Sequence, residues 1–183
     1  MSAHRPAIAV FGSSEPVAGE PLYEEAVEVG RLLASAGFDV VTGGYGGVME
    51  GASRGAASAG AHSHGVGCEI FADRTPNPYL TSFESTGDLF ERTRRIVDRA
   101  AGFAVLDGRA GTLAELAFLW ALRRAGCLGN RPVVLWRNAW GDVLARLVAT
   151  GKLDEDELRY TTLVRDAPAA AAALRAGYHP RRS

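Results

Sequence analysis

The sequence predicts a doubly wound α/β fold with a mostly parallel sheet flanked by helices. Short apolar runs, typical of strands buried on both faces, alternate along the chain with segments of helical periodicity. Three of these runs end at once in loops of small residues, at Gly12, Gly43 and Gly108. Because ligands of such sheets bind outside the carboxyl ends of the strands, the three loops are expected to meet at one binding edge.

Each element follows from its local pattern, and residues 1–183 are expected to form a single domain. Apolar runs predict strands at 7–11, 38–41, 63–70, 103–106, 132–136 and 162–164. Helical periodicity predicts helices at 21–36, from the second glycine loop to 57, and at 88–101, 112–125, 140–150, 155–160 and 168–176. The segment 72–86 is rich in Pro, Asn, Asp, Ser and Thr, and it predicts a long surface loop of the kind that is often functional.

The composition argues against several classes of function. A net charge of −1 gives no electrostatic support for binding nucleic acid or a membrane surface. The two cysteines fit neither a metal-binding spacing nor a disulfide framework, so no metal site and a reducing, cytoplasmic location are expected. Residues 1–6 are polar, and no apolar run has the length of a membrane span, so we expect neither a signal peptide nor a membrane anchor.

The loop after the fourth predicted strand carries the clearest signal of a site. Gly108 and Gly111 let a ligand approach the backbone closely, and the free N–H groups at the start of the next helix favour an anion. Thr112 is a candidate N-cap, with Glu115 as its capping-box partner. In the alternative interpretation, the Glu115 carboxylate lies one turn into the helix, beside a phosphate-binding site. There it would react with the group to which the bound phosphate is attached.

A second glycine cluster follows the second predicted strand. It holds four glycines in the five residues 43–47, which turn geometry alone explains poorly, so we expect the backbone there to approach a ligand. The spacing is not a strict G-x-G-x-x-G, and by itself the cluster is a weak signal. In the third predicted helix, Arg92 lies at the border of the apolar face. The other arginines of that helix are expected to face solvent: Arg94, Arg95 and Arg99.

These motifs resemble the LONELY GUY family, often labelled "lysine decarboxylase-like", whose active members are cytokinin riboside 5′-monophosphate phosphoribohydrolases. The family signatures are P-G-G-x-G-T-x-x-E and G-G-x-x-G-x-M, with an E-R-K helix between them. Here they read D-G-R-A-G-T-L-A-E at 107–115, G-G-Y-G-G-V-M at 43–49 and E-R-T at 91–93. The match runs in order over roughly residues 7 to 165, so it is more specific than any single motif.

The resemblance implies a Rossmann-like fold, usually a homodimer, that needs no cofactor and hydrolyses the N-glycosidic bond of a nucleoside 5′-monophosphate. By position, Arg92 and Glu115 would be the catalytic pair. Lysine decarboxylase activity and pyridoxal phosphate catalysis are not expected, since the only lysine, Lys152, lies far from the glycine loops. The residues expected to bind the substrate or its phosphate are Gly12, Ser13, Ser14, Gly43, Gly44, Gly46, Gly47, Met49, Gly108, Arg109, Gly111 and Thr112.

The implied chemistry suits the pair. Cleavage passes through an oxocarbenium-like ribose, which a carboxylate stabilises while it positions or deprotonates water. An arginine can clamp the phosphate and orient the sugar.

Three residues depart from the family pattern, and they keep other hypotheses open. Asp107 replaces the proline, Arg109 the second glycine and Thr93 the lysine. Arg109 could add a phosphate contact, or it could fill the loop and suit it to another ligand. The alternative hypothesis is therefore a non-catalytic nucleotide- or cofactor-binding protein on the same fold. A nicotinamide oxidoreductase is a more distant one, because no acidic residue suited to hold a ribose follows the second strand.

Overall fold

The computed structural model describes residues 5–180, in which parallel strands alternate with helices. The expectation about a signal peptide rests partly on residues 1–4, which lie outside this range. The strands are β1 (Ala7–Phe11), β2 (Asp39–Thr42), β3 (Ser63–Cys68), β4 (Ser82–Thr86), β5 (Ala100–Val105), β6 (Val133–Trp136) and β7 (Thr161–Val164). The α-helices are α1 (Pro21–Ser35), α2 (Val48–Ser58), α3 (Leu89–Arg99), α4 (Ala110–Arg124), α5 (Arg137–Ala149), α6 (Glu155–Leu158) and α7 (Ala167–Gly177).

The strands form one sheet in the order β4-β3-β2-β1-β5-β6-β7, and every neighbouring pair is parallel. The predicted α/β fold class is therefore confirmed. From β1 the chain builds outward on one side as far as β4, and then returns to place β5 on the other side of β1. This reversal makes the carboxyl ends of β1 and β5 the switch point at which such sheets bind ligands.

The prediction of one uninterrupted loop over residues 72–86 is wrong, because its last part is β4, Ser82–Thr86. This strand lies at the edge of the sheet and pairs only with β3, so its mostly exposed side chains are polar and lack the apolar run of a buried strand. The third predicted strand also ends earlier than expected, at Cys68. A single 3₁₀ turn follows it, Glu69–Phe71.

Helices cover both faces of the sheet. On one face α1, α2 and α7 bury an apolar cluster that includes Val29, Leu33 and Leu174. On the other face α3, α4 and α5 bury Ile96, Leu116 and Trp140 among others. Burying one such aliphatic side chain contributes roughly 1.5–3 kcal/mol, so the two clusters hold the strands rigidly beneath the loops. Among residues 5–180, no helix combines the length and the apolar character needed to cross a bilayer.

The loops at the carboxyl edge of the sheet are bonded to one another through Ser13. Its N–H donates to the carbonyl oxygen of Asp107 at 2.9 Å, and its own carbonyl accepts from the N–H of Val48 at 2.8 Å. The loop after β1 therefore connects the loop after β5 to the start of α2. All three small-residue loops meet at one edge, as the sequence predicts.

Candidate functional site

A cavity of about 180 Å³ opens at this edge, beside the switch point. Its walls come from the loops after β1, β2 and β5, together with α3, α4 and the segment after β3. The residues expected to form the site that line it are Gly12, Ser13, Ser14, Gly43, Met49, Arg92, Arg109, Gly111, Thr112 and Glu115. The other residues in its lining are Val10, Phe11, Glu15, Tyr45, Phe71 and Arg74.

Four of the expected binding residues do not line this cavity: Gly44, Gly46, Gly47 and Gly108. A methyl group added at Gly44 would lie 2.8 Å from the Phe83 ring, and one added at Gly47 would lie 2.3 Å from the carbonyl oxygen of Ser13. Gly47 also has a φ of +70°, which L side chains rarely adopt. The close approach that the sequence predicts for these two glycines is therefore an approach to other parts of the protein.

Gly43 serves the site indirectly, by leaving room for an arginine. A methyl group at this position would lie 1.6 Å from Nη2 of Arg92 and 2.7 Å from the Met49 sulfur. The missing side chain thus provides the space in which Arg92 crosses beneath the loop. Gly43 lines the cavity, and it also determines where the guanidinium can lie.

The capping interpretation of Thr112 and Glu115 is wrong. Helix α4 begins at Ala110, and its N-cap is Arg109, whose extended backbone makes no side-chain capping hydrogen bond. The N–H of Leu113 donates to the carbonyl oxygen of the N-cap residue Arg109 at 2.9 Å, which is the first i to i−4 hydrogen bond of the helix. Thr112 is thus already inside the first turn, and the N–H groups of residues 110–112 have no helical acceptor.

This helix start is suited to hold an anion. The helix has 15 residues and begins at the cavity, so its free N–H groups and its dipole favour negative charge there. Gly111 has no protein atom within 4 Å of where a Cβ would lie, which leaves the space in front of the turn open.

Arg92 and Glu115 meet at the cavity, from α3 and α4. Nη1 of Arg92 lies 3.7 Å from Oε1 of Glu115, and the two side chains are only 10% and 14% exposed. Nε of Arg92 donates to the carbonyl oxygen of Val66 at 2.9 Å, which fixes the guanidinium. Helix α3 is itself held by its N-cap Asp88, whose carboxylate accepts from the N–H of Glu91 at 2.8 Å.

The other arginines of α3 are more exposed, as their pattern predicts. Arg95 and Arg99 both reach the carboxylate of Glu84, at 3.0 and 2.9 Å, and Arg94 is exposed.

Burial raises the pKa of the Glu115 carboxyl to about 7, because desolvation of the charged form outweighs the attraction of Arg92. Near neutral pH the group therefore exists in both protonation states. A carboxylate with a pKa near the working pH is well suited to accept a proton from water.

The two charged substitutions in the phosphate-type loop are both accounted for by local partners. The Asp107 carboxylate turns back and accepts from the N–H of Gly108 at 2.8 Å, and Asp107 does not line the cavity. Arg109 does line it, and its guanidinium is paired with Glu15 at 2.9 Å across the exposed rim. The Arg109–Glu15 ion pair therefore lies at the exposed mouth of the cavity.

Sequence reasoning missed one wall of the cavity, formed by Tyr45, Phe71 and Arg74. The Tyr45 and Phe71 rings pack edge to face at 5.8 Å, and the Arg74 guanidinium lies 4.7 Å from the centre of the Phe71 ring. Asn77 anchors the segment, because its N–H donates to the Gly44 carbonyl at 2.9 Å and its side-chain amide to the Tyr45 carbonyl at 3.1 Å. The one available signal was the length of the polar loop.

Glu50, a carboxylate in the first turn of α2 just after the second glycine loop, has a structural partner. Glu50 accepts a hydrogen bond from the Tyr23 hydroxyl at 3.0 Å and does not line the cavity. Within residues 5–180, no group of three or more His, Cys, Asp or Glu side chains is arranged to hold a metal ion.

Comparison with known proteins places this architecture in a family. Residues 5–161 match the model of the SLOG cluster4 family. A curated Mycobacterium tuberculosis protein named cytokinin riboside 5′-monophosphate phosphoribohydrolase is 31% identical over 142 residues, which cover 73% of this chain and 71% of that protein.

Solved structures share the fold. The X-ray structure of TM1055, a structural genomics target, superposes with a TM-score of 0.73 at 27% identity, covering 93% of this chain and 98% of that one. A molybdenum cofactor carrier protein from Chlamydomonas reinhardtii gives a TM-score of 0.72 at 24% identity, covering 95% of this chain and 98% of the other. The family model matches most of this chain, and the LONELY GUY resemblance is confirmed. The chain therefore belongs to the SLOG cluster4 family.

Proposed function

We propose that the protein hydrolyses the N-glycosidic bond of a nucleoside 5′-monophosphate, releasing the free base and ribose 5-phosphate. The observation that carries this proposal is the buried Arg92–Glu115 pair, which lies in a cavity beside the uncapped start of α4. The name of the M. tuberculosis relative supports the same reaction.

The first step of the proposed reaction is capture of the phosphate. The free N–H groups of residues 110–112 bind its oxygens, and Arg109 lies beside them at the rim, where it pairs with Glu15. Bound there, the phosphate fixes one end of the substrate, and the ribose extends toward Arg92 and Glu115. Holding the sugar in this way lowers the entropic cost of the chemical step.

In the chemical step, the bond from C1′ of the ribose to the base nitrogen breaks, and its electron pair leaves with the base. The oxygen of a water molecule forms the new bond to C1′, and the Glu115 carboxylate takes the proton from that water. The departing base takes up a proton from solvent, and Glu115 releases its own proton to solvent before the next turnover. The negative charge of Glu115 also stabilises the oxocarbenium character of the ribose. Arg92, fixed by Val66, keeps part of Glu115 ionised and orients the sugar.

AMP and N6-substituted AMP of the cytokinin type are the first substrates to test, because the relative is named for such a nucleotide. The measurement is the release of free base and ribose 5-phosphate. With Glu115→Gln, we expect turnover to fall about 10²–10⁴-fold, the usual contribution of a general base. Glu155→Gln, an exposed change at the start of α6, is the control and keeps full activity.

The proposal fails if no nucleoside 5′-monophosphate yields free base with the wild-type protein. It also fails if Glu115→Gln keeps the wild-type rate.

A second candidate is a non-catalytic nucleotide- or cofactor-binding protein on the same fold. The Arg109–Glu15 ion pair at the cavity mouth favours this candidate, because Arg109 replaces a glycine of the family motif. A structural neighbour named as a molybdenum cofactor carrier supports this candidate through the fold alone. It predicts that a bound nucleotide or cofactor raises the melting temperature without turnover, and that Glu115→Gln leaves this binding unchanged.

A homodimer is also part of the proposal, since the family resemblance implies one. Exposed apolar side chains near the starts of α3 and α4 support it, above all Phe90, which is 84% exposed. Light scattering on the purified protein measures the mass directly. A monomer at micromolar concentration contradicts the proposed dimer.

A further inference from the structure

The end of the cavity farthest from α4 is formed by the segment that follows β3. In the sheet order, β3 and β5 are separated by β2 and β1, a distance of roughly 14 Å at about 4.8 Å per strand. Phosphate binding belongs to the loop after β5, whereas Phe71 and Arg74 follow β3. A ligand whose phosphate lies at α4 therefore directs its other end, the base of a nucleotide, toward Arg74.

Arg74 differs from the other two arginines of the cavity. Arg92 faces Glu115 at 3.7 Å, and Arg109 is paired with Glu15 at 2.9 Å. Among residues 5–180, Arg74 forms no ion pair, and its guanidinium lies over the Phe71 ring. Its N–H groups are thus available to a ligand.

Arg74 is exposed, but the residues on which it lies are anchored. Phe71 packs against Tyr45, and the Tyr45 hydroxyl accepts from the N–H of Cys68 at 3.0 Å. Asn77, only 6% exposed, bonds the following segment to the second glycine loop. The contact with this anchored ring limits the freedom of the Arg74 guanidinium, which lowers the entropy that it loses on binding a ligand.

We infer that Arg74 determines base specificity, and that it selects a purine with a 6-oxo group over a 6-amino purine. A guanidinium only donates hydrogen bonds, and its planar fork matches the O6 and N7 acceptor pair of a 6-oxopurine. The 6-amino group of adenine is itself a donor and would face another donor. The wall formed by Tyr45, Phe71 and Arg74 includes no carboxylate to accept from it, and the two carboxylates that line the cavity elsewhere, Glu15 and Glu115, face Arg109 and Arg92.

The inference rests on the proposed function in that it takes a nucleoside 5′-monophosphate as the ligand, but its test uses binding alone. Calorimetry measures the affinities of GMP, IMP, AMP and inorganic phosphate for the Glu115→Gln protein, which keeps the nucleotides intact. We expect GMP and IMP to bind about tenfold or more tightly than AMP. Adding Arg74→Gln removes this preference and leaves the phosphate affinity unchanged.

Arg94→Gln is the matched control, since it removes the same charge from an exposed arginine that does not line the cavity. It keeps the preference for GMP and IMP. Equal affinities for GMP and AMP overturn the inference, and so does an Arg74→Gln change that weakens both nucleotides equally. If none of the three nucleotides binds, the inference is overturned as well.

The two proposals fail in different ways. If wild-type protein binds GMP through Arg74 but releases free base from no nucleoside 5′-monophosphate, the hydrolase proposal fails and the base preference stands. If it hydrolyses AMP and GMP alike with equal affinities, the base preference fails and the hydrolase proposal stands.

Discussion

The two glycine loops of the binding edge look alike in sequence but differ in what their glycines do. In the loop after β2, Gly43, Gly44 and Gly47 each approach other protein atoms so closely that a methyl group would collide with them. In the loop after β5, Gly108 approaches Thr112 in the same way, whereas Gly111, at the start of α4, faces open space. The first loop thus uses three of its four glycines for internal packing, whereas Gly111 leaves space beside the free N–H groups of α4.

This difference shows that a cluster of glycines does not by itself mark the place where a ligand binds. The packed loop contributes to the site by positioning Arg92, which lies where the side chain of residue 43 would otherwise be. The open loop contributes the backbone N–H groups. Substitutions in the packed loop should therefore affect stability, whereas those in the open loop should affect binding.

The largest expected effect is that of Gly47→Ala in the packed loop. The new methyl group would meet the carbonyl oxygen of Ser13, and alanine is strained at a φ of +70°. Strain and overpacking together should cost about 4 kcal/mol of unfolding free energy, measured by urea denaturation. The control is Gly46→Ala, whose methyl group has no protein atom nearer than 3.9 Å. Equal stability of the two variants would show that the loop is not packed as described.

The next largest effect on stability is expected from the ionisation of Glu115, which faces Arg92 from α4. Its pKa is about 7 in the folded protein against an ordinary value of 4.5, so the folded state holds the proton more tightly than the unfolded state does. The stability that this provides is fully present below pH 4.5 and is lost as the pH rises through 7. A tenfold change in proton affinity is worth about 1.4 kcal/mol, so the loss amounts to about 3 kcal/mol.

The difference in unfolding free energy between wild type and Glu115→Gln isolates this effect. Relative to wild type, we expect the variant to gain about 3 kcal/mol between pH 4.5 and pH 8, since Gln cannot ionise. Glu155→Gln, on the exposed surface, is the control. A pH-independent difference for Glu115→Gln would mean that the carboxylate is solvated in the folded protein.

The smallest effect on stability is expected for Gly111→Ala in the open loop. No protein atom lies within 4 Å of the new methyl group, and alanine is the better helix former. We expect an unfolding free energy that is unchanged or higher by up to about 1 kcal/mol. Gly111 lines the cavity at the start of α4, so the methyl group takes space from an anion bound there, and the affinity for inorganic phosphate should fall. Unchanged phosphate affinity would place the anion elsewhere.

Much of the fold follows directly from the sequence, because buried parallel strands are nearly continuous apolar runs. β4 was missed because it is an edge strand with mostly polar, exposed residues, and its pairing with β3 leaves no pattern in its own sequence. The convergence of the three loops was also predictable, since it depends only on strand direction.

The site was predictable in part, and the limits are physical. The spacing of the motifs singles out Arg92 and Glu115, but their burial and the resulting pKa of Glu115 depend on packing from distant segments. Arg74 carries no motif at all. Its place in the cavity depends on Asn77, whose two bonds to the second glycine loop have no signature in a polar loop.

The Asn77 anchor has an evolutionary consequence. It fastens the wall formed by Tyr45, Phe71 and Arg74 to the backbone of the glycine loop, and both of its hydrogen bonds go to backbone carbonyls of that loop. A substitution at position 74 therefore leaves this attachment intact, whereas one at position 71 also changes the packing of Tyr45. The charge of this wall can thus differ between related chains while the backbone of the segment keeps its place beside the cavity.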